Sequence, residues 1–345
     1  MLSEHQNKIS KPRPLFLFSL FQKQLVTAPK PVPKPTEVLV RVVAASINPI
    51  DFKLKRGDLG KFLTKTPAVP GADVAGVVEA SASGSRRFAA GSRVYGIKSA
   101  TDPAGTLAEY VAVPESQLAA IPASLSFEQA ASLPLAGLTA LQALRSAGLQ
   151  SSDRLLVTAA AGGVGSLAVQ LARGEFDCRT VVGTCGPKNL EFVRAELGAS
   201  EAFDYTAAGK TLRTAFAAAP SSLFDVVVDV VGGATEVDAL SATKPKRLGG
   251  RFASVLNSGT SARSLASGFL NALLGRGPAY SVTVLSVKGA GEKLERVFNR
   301  LVEEGKLRPV IAAVRPLEEA AAAFAELEAG HSRGKQVIKV SSGEE

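Results

Sequence analysis

The sequence predicts an α/β protein of two parts, a compact and mainly β unit followed by a doubly wound domain with a parallel sheet. Two styles of sequence indicate this. Residues 25–138 contain short apolar strands broken by Pro and Gly, whereas residues 151–257 alternate apolar strands with helical periodicity. With 345 residues, 46% of them hydrophobic and 21% charged, the chain has globular composition and is long enough for two domains.

The mainly β unit is predicted from β-branched, apolar runs at residues 38–43, 74–78 and 110–113. Proline and glycine separate these runs, for example at Pro70-Gly71 and Gly105. Because such residues punctuate strands rather than helices, the segment is expected to be a set of short strands joined by turns.

The doubly wound domain begins with a predicted strand at residues 154–158. A helix follows, since apolar residues recur there with helical spacing from Val164 to Ala172. The alternation then continues with a strand, a helix and three further strands, at residues 180–184, 189–197, 201–205, 224–229 and 251–256. The run at 224–229 is continuously apolar apart from its aspartates, which is typical of a parallel sheet covered on both faces.

The last part of the chain mixes the two styles. Helical apolar stripes are predicted at residues 294–302 and 317–327, ending near Gly305 and Gly330, and a closing strand at 337–340.

The net charge of +9 is concentrated near the start of the chain. Residues 1–35 carry six basic residues against Glu4 alone, so their net charge is +5, and the other 310 residues carry only +4. This makes nucleic-acid binding by the body improbable, since no basic stripe with aromatic residues occurs there. Residues 1–24 are interpreted as an atypical tail, either disordered or a wrongly assigned first exon, with an organelle transit peptide as an alternative. No apolar run approaches the roughly 20 residues that span a bilayer, but the basic tail would allow peripheral contact with an anionic membrane.

The metal-binding residue types are scarce. The chain has two cysteines, Cys178 and Cys185, and two histidines, His5 and His331. These supply neither a four-cysteine zinc site, nor a histidine-rich centre, nor a disulfide scaffold.

A glycine-rich turn joins the first strand of the α/β domain to its helix. Its residues Ala160, Ala161, Gly162, Gly163 and Val164 would offer backbone N–H groups and a helix N-terminus to a pyrophosphate. The second strand ends without the acidic residue that holds the ribose of NAD. Thr184 and Lys188 stand there instead, which favours the 2′-phosphate of NADP; the alternative for Lys188 is a solvated helix residue.

The chain resembles the zinc-free quinone-oxidoreductase branch of the medium-chain dehydrogenase/reductase superfamily, and within it the chloroplast envelope quinone-oxidoreductase-like proteins and alkenal reductases. The resemblance covers about residues 25–341 in collinear order. It is carried by segments at residues 45–53, 69–76, 91–96, 108–111, 133–140, 159–165, 185–193 and 305–309.

The resemblance implies a GroES-like β domain interrupted by a Rossmann domain, with the nicotinamide in the cleft between them. The implied division is a tail at 1–24, the GroES-like catalytic domain at 25–138, the NADP-binding domain at 139–280 and a return to the catalytic domain at 281–345. Zinc members carry Cys near Ser46–Asn48 and a His-Glu pair near Ala72-Asp73, and this chain has neither.

The resemblance also implies site residues. Asn48, Lys53 and Tyr95 are expected at the reacting centre, with the alternatives of a turn amide, a surface lysine and a core tyrosine. Asp51 is expected to hold the Asn48 loop. Besides Asn48, the glycine turn, Thr184 and Lys188, four residues are expected near the cofactor: Thr139, Tyr205, Asn257 and Lys335. Their alternatives are a helix hydroxyl for Thr139, a strand-end aromatic for Tyr205 and an edge-strand charge for Lys335; Asn257 ends the fifth strand, where sheets of this type bind ligand.

The expected function is therefore an NADPH-dependent oxidoreductase that transfers hydride to quinones or to the activated C=C bond of α,β-unsaturated carbonyls without zinc. The alternative is an NADPH-binding sensor or scaffold with little turnover, like zeta-crystallin relatives that bind RNA. A homodimer is expected from the family, and the compartment stays open between cytoplasm and chloroplast.

Overall fold

Two large β-sheets organise the molecule. The computed structural model describes residues 13–18, 23–58, 69–207, 211–216, 223–255, 277–330 and 332–341. The strands of the two sheets and of an N-terminal hairpin are β1 Arg13–Phe18, β2 Lys23–Ala28, β3 Glu37–Ile47, β4 Asp73–Ser81, β5 Arg93–Ile97, β6 Tyr110–Pro114, β7 Leu118–Ala120, β8 Arg154–Val157, β9 Thr180–Cys185, β10 Glu201–Asp204, β11 Val226–Asp229, β12 Arg251–Val255, β13 Ala279–Thr283, β14 Ile311–Pro316 and β15 Lys335–Lys339.

Helices connect and cover these sheets. They are α1 Pro49–Arg56, α2 Phe127–Ala131, α3 Pro134–Ser146, α4 Gly163–Gly174, α5 Leu212–Phe216, α6 Ala234–Ser241, α7 Ala290–Lys293, α8 Arg300–Glu303 and α9 Ala320–Ala329. Two of the predicted helices contain π-helical turns, at Phe192–Glu196 and Leu294–Asn299.

The seven-stranded sheet confirms the predicted β unit and has the order β14-β15-β3-β4-β5-β7, with β6 paired to the first half of β3. Strand β3 is its centre, because β4 pairs along one side of it while β15 and β6 share the other. The last two strands of the chain, β14 and β15, thus join the sheet that β3 to β7 build. The domain boundaries themselves stay a prediction.

The six-stranded sheet is parallel throughout and has the order β10-β9-β8-β11-β12-β13. Counted from β8, this is the order 3-2-1-4-5-6 of a doubly wound Rossmann sheet. Strand β11 is completely buried, as its continuous apolar run predicts. The prediction of an α/β fold with a Rossmann domain is confirmed.

An antiparallel hairpin of β1 and β2 forms a separate two-stranded sheet, with Arg13 opposite Ala28 and Phe18 opposite Lys23. Within residues 1–24, for which the sequence left a disordered tail or a wrongly assigned first exon open, Arg13–Phe18 is a strand. The interpretation of the whole segment stays a prediction. In the register of the hairpin, Leu15 lies opposite Val26, and Phe16 opposite Leu25. Residues 1–12 and 19–22 lie outside the described part of the chain.

Among the residues that the structure describes, no helix combines the length and the apolar character needed to cross a membrane.

Candidate functional site

The glycine turn lies between β8 and α4, at the carboxyl edge of the parallel sheet. Its backbone is fixed to the end of the next strand, since the Ala160 N–H donates to the Thr184 carbonyl at 2.7 Å. A Cβ atom on Gly165 would lie 2.2 Å from the Ala159 carbonyl oxygen, so the close passage of turn and helix requires glycine there.

The N-terminus of α4 is open. Its N-cap residue, Gly162, has no side chain to accept a hydrogen bond from the first N–H groups of the helix. Gly162, Gly163 and Val164 are half-buried and accessible, whereas Ala160 and Ala161 are buried beneath them. Because unsatisfied N–H groups at a helix N-terminus attract anions, the arrangement suits a pyrophosphate.

The predicted site residues at the end of the second strand differ in exposure. Thr184 is buried, and its hydroxyl accepts a hydrogen bond from the Ala159 N–H at 3.2 Å, so it holds the glycine turn. Its role at a 2′-phosphate stays a prediction. Lys188 is exposed, in a single helical turn directly after β9. Tyr205 is 51% exposed, and its N–H donates to the Cys185 carbonyl at the end of β9.

Asn48 lies at the end of β3 and is buried. Its N–H donates to the Asp51 carboxylate at 2.8 Å, and the other Asp51 oxygen accepts the Gly71 N–H at 3.1 Å. Asp51 therefore holds the loop, as the sequence predicts. The Asn48 side-chain amide donates to Asp73 at 2.8 Å.

Asp73 begins β4 and is completely buried. Besides the Asn48 amide, its carboxylate accepts the Ser46 hydroxyl at 2.6 Å and the Leu135 N–H at 2.6 Å. The carboxylate thereby fixes the relative positions of the Asn48 loop, strand β4 and helix α3.

Lys335 links this network to the glycine turn. Its buried ammonium group donates to the Ile47 carbonyl at 3.1 Å and to the Asn48 side-chain oxygen, and it lies 3.5 Å from Asp73. A Cβ atom on Gly163 would lie 2.8 Å from the Lys335 side chain, so this stem crosses the glycine turn at close range. Lys335 thus contacts both the Asn48 loop and the glycine turn. Its strand is not at an edge of the sheet, because β15 lies between β14 and β3.

Burial dominates the electrostatics of this network. Desolvation raises the pKa of Asp51 to about 7, against the opposing effect of its backbone hydrogen bonds. Desolvation also lowers the pKa of Lys335, and the neighbouring carboxylates of Asp73 and Asp51 counter that effect. Two acidic groups and one lysine therefore share a site from which water is excluded.

Two other predicted site residues, Lys53 and Thr139, make contacts or lie in surroundings that bear on their roles. Lys53 is half-buried on α1, and burial lowers its pKa. Thr139 is buried, and its hydroxyl donates to the Leu135 carbonyl of its own helix at 2.7 Å, as its alternative predicts. Asn257 lies outside the described residues.

Tyr95 is part of the core, which corrects its predicted catalytic role. It is completely buried in β5, and its hydroxyl donates to the Asn299 side chain at 2.6 Å. Burial raises the pKa of the Tyr95 hydroxyl above its ordinary value. The contact with Asn299 fastens β5 to the helical segment that precedes α8.

Sequence reasoning missed Asp73 and Ser46 as members of the site. The available signal was an aspartate directly after Pro70-Gly71-Ala72 and before the apolar run of β4. An acidic residue at the start of a buried strand needs partners, and Ser46 and Lys335 supply them here.

A cavity of about 340 Å³ lies elsewhere, between the chain that enters β3 and the strand β6. Lys30, Lys98 and Tyr110 are among its lining residues, and none of the predicted site residues lines it. Within the described residues, no group of three or more His, Cys, Asp or Glu side chains could hold a metal ion.

Two family models match the chain. The alcohol dehydrogenase GroES-like domain matches residues 34–123, and the zinc-binding dehydrogenase domain matches residues 197–338. The first contains the Asn48 loop and Asp73, and the second extends through Lys335.

Named relatives align over most of the chain. The 2-methylene-furan-3-one reductase of Solanum lycopersicum is 37% identical, over 88% of this chain and 72% of its own. The chloroplast envelope quinone oxidoreductase homolog of Arabidopsis thaliana is 36% identical, over 91% and 93%. The NADPH-dependent alkenal/one oxidoreductase of the same plant is 34% identical, over 88% and 72%.

Among solved structures, the quinone oxidoreductase from Coxiella burnetii superposes with a TM-score of 0.84 at 33% identity, covering 96% of this chain and all of its own. The order of the parallel sheet and the open glycine turn are consistent with these similarities in sequence and structure. The chain belongs to the medium-chain dehydrogenase/reductase superfamily, among its quinone oxidoreductases and alkenal reductases.

Proposed function

We propose that the protein is an NADPH-dependent reductase that transfers hydride to quinones or to the activated double bond of α,β-unsaturated carbonyl compounds. The observation that carries this proposal is the contact of Lys335 with both the glycine turn and Asn48. It brings the dinucleotide-binding turn of one sheet against the buried polar loop of the other. The names of the relatives support both the cofactor and the substrate class.

The residues present fit a dinucleotide. Gly163 and Val164 would hold the pyrophosphate with their N–H groups, while the Gly162 N–H closes the turn by donating to the Ala159 carbonyl at 2.9 Å. The exposed Lys188 would bind the 2′-phosphate, and Tyr205, exposed after the neighbouring strand β10, would pack against the adenosine. A lysine at this place attracts the extra phosphate that distinguishes NADPH from NADH.

When bound, NADPH supplies a hydride to the electron-poor carbon of the substrate. Negative charge then develops on the substrate oxygen, and the protein has to position the substrate and supply a proton. Lys53 is our candidate donor: no hydrogen bond or ion pair engages its ammonium group within the described residues, and its lowered pKa eases proton release.

We propose a positioning role for Asn48 in place of the cofactor contact that its family position implies. Its side-chain oxygen accepts from Lys335 and its amide donates to Asp73, so both ends are engaged. We assign it as a positioning residue that fixes the loop before α1.

The first experiment is NADPH oxidation by the purified protein with a short 2-alkenal, a longer-chain enone and a benzoquinone. NADH and a chelator serve as controls. Chelator-resistant turnover that prefers NADPH is the expected result, and the best substrate identifies the branch. Binding of NADPH without turnover across this panel contradicts the reductase proposal and favours the sensor or scaffold alternative.

We also propose a homodimer that forms along β13. This strand ends the six-stranded order, and Val284, directly after it, is 59% exposed. Pairing of two such edges would join the parallel sheets of two copies into one. Light scattering after size exclusion tests this, and a monomeric mass at micromolar concentration contradicts it.

A chloroplast location is proposed from the named plant relatives. Fractionation of cells that express the tagged full chain tests it, and recovery only in the cytoplasmic fraction contradicts it.

A further inference from the structure

Three consecutive residues, Arg333-Gly334-Lys335, contact three different parts of the molecule, and we call them the strap. At its centre, the Gly334 N–H donates to the Ala161 carbonyl at 2.9 Å, which ties the strap to the glycine turn. At one end, Lys335 holds Asn48. The strap therefore spans the junction between the two sheets at the expected pyrophosphate site.

The path of the strap leaves no room for a side chain at its centre. Gly334 has a φ of +84°, and a Cβ atom there would lie 2.3 Å from the Val310 carbonyl oxygen. The next residue is fixed too, since the Lys335 N–H donates to the same carbonyl at 2.8 Å. The backbone is thus held on its Lys335 side, and its other side depends on Arg333.

Arg333 is held by the helical segment that follows the second Rossmann strand. Its guanidinium group lies 3.7 Å from the centroid of the Phe192 ring and 3.2 Å from the Glu196 carboxylate. Glu196 is itself anchored, because its carboxylate pairs with Arg308 at 2.8 Å, and the backbone of Arg308 exchanges two hydrogen bonds with the buried Gln170 of α4.

We propose that Glu196 and Arg333 are positioning residues for the cofactor, because they hold the strap against the glycine turn. Their ion pair keeps Gly334 on Ala161 and so keeps the pyrophosphate turn in register with the Asn48 loop. The cofactor part of this inference rests on the proposed function; the contact between strap and turn does not.

The pair can be broken without unfolding the protein. The side chains of Arg333 and Glu196 are 46% and 49% exposed, and an ion pair so accessible to water contributes little to global stability. Any effect on the strap is then a local one, which separates positioning from a general structural role.

The first test is amide hydrogen exchange of the protein without cofactor. In Glu196→Gln, we expect the Gly334 amide to exchange about two- to fivefold faster, with global stability almost unchanged. The matched control is Glu191→Gln, since Glu191 lies on the same segment and pairs with Arg194 instead of the strap. Equal exchange of Gly334 in the wild type and Glu196→Gln overturns the proposal.

The second test compares the binding of NADPH and NADH by fluorescence. Since the strap acts on the turn that binds the common pyrophosphate, Glu196→Gln and Arg333→Gln should weaken both dinucleotides by the same factor, about two- to fivefold. The double variant should lose no more than either single one. Weaker binding of NADPH alone in Arg333→Gln overturns positioning, because it shows direct contact with the 2′-phosphate.

The two proposals fail in different ways. If the wild type binds neither dinucleotide, the proposed function fails, while the exchange of Gly334 in the cofactor-free protein still decides whether Glu196 holds the strap.

Discussion

At the scale of single residues, Asp73 shows how much of the site depends on partners that are distant in sequence. It collects donors from Ser46, Asn48, Leu135 and Lys335. Sequence position and residue type placed Lys188 and Tyr205 near the cofactor, and both are exposed after two neighbouring strands. They could not show that the Thr184 hydroxyl accepts a backbone N–H or that the Tyr95 hydroxyl donates to a side-chain amide. Only the packing decides which partner each hydroxyl takes.

The charge at Lys188 should determine the choice of cofactor. We expect Lys188→Glu to raise the KM for NADPH about tenfold or more, because a carboxylate repels the 2′-phosphate that the lysine attracts. The KM for NADH should stay nearly the same, since NADH has no such phosphate. Steady-state kinetics with both cofactors measure this, and an unchanged preference for NADPH would remove Lys188 from the phosphate site.

Asp51 should make stability depend on pH. Burial raises its pKa from 3.8 to about 7 in the folded protein, so the folded state binds a proton that the unfolded state has released between these values. Its contribution to stability is therefore fully present below about pH 4 and is lost as pH rises through about 7, with a size of roughly 1 to 4 kcal/mol.

Urea unfolding of the wild type and Asp51→Asn at several pH values between 5 and 8 measures this contribution. The variant has a lower baseline stability, because an amide cannot accept both the Asn48 and the Gly71 N–H. The difference in unfolding free energy between the two proteins should shrink as pH rises. A difference independent of pH would show that Asp51 is ionised throughout this range.

At the scale of elements, periodicity predicted the Rossmann strands closely, because strands buried on both faces are continuous apolar runs between turn residues. The predicted strand at residues 180–184 is observed as Thr180–Cys185, for example. The β1–β2 hairpin was missed for the opposite reason. The hairpin forms because two short segments pair with each other, and neither segment has a sequence pattern that predicts a strand by itself.

The glycine turn has a requirement that can be tested at the level of the element. Gly165→Ala places a Cβ atom 2.2 Å from the Ala159 carbonyl oxygen. This oxygen belongs to the glycine turn, so it cannot move away without opening the turn before α4. We expect at least a tenfold loss of NADPH affinity, measured by fluorescence titration. Gly186→Ala is the control, because a Cβ atom there meets nothing within 4 Å and the residue has a φ of −73°. Equal affinities of the two variants would contradict the importance of the turn.

At the scale of the whole molecule, residues from distant parts of the chain meet at one junction. Lys335 comes from near the end of the chain, Asn48 and Asp73 from its first quarter, and the glycine turn from its middle. Composition and periodicity do not predict these long-range contacts, since no local pattern distinguishes any of these residues within its own segment. The family resemblance placed Lys335 near the cleft, but its partners follow only from the three-dimensional structure.

The charge balance of this junction should appear in the stability of the whole protein. Lys335→Met removes the ammonium group and leaves Asp73 and Asp51 buried without a counter-charge, so we expect a loss of about 3 to 5 kcal/mol in the free energy of unfolding. Because the cost comes from the uncompensated carboxylates, adding Asp73→Asn should recover part of it, whereas two independent packing defects would add. Lys188→Met, at an exposed position, should change stability by less than about 0.5 kcal/mol. Urea unfolding of these variants should be measured at pH 8, where Asp51 is largely ionised and the differences in unfolding free energy from the wild type are greatest. If the losses of the two single variants simply add in the double variant, Lys335 contributes by packing and not by charge.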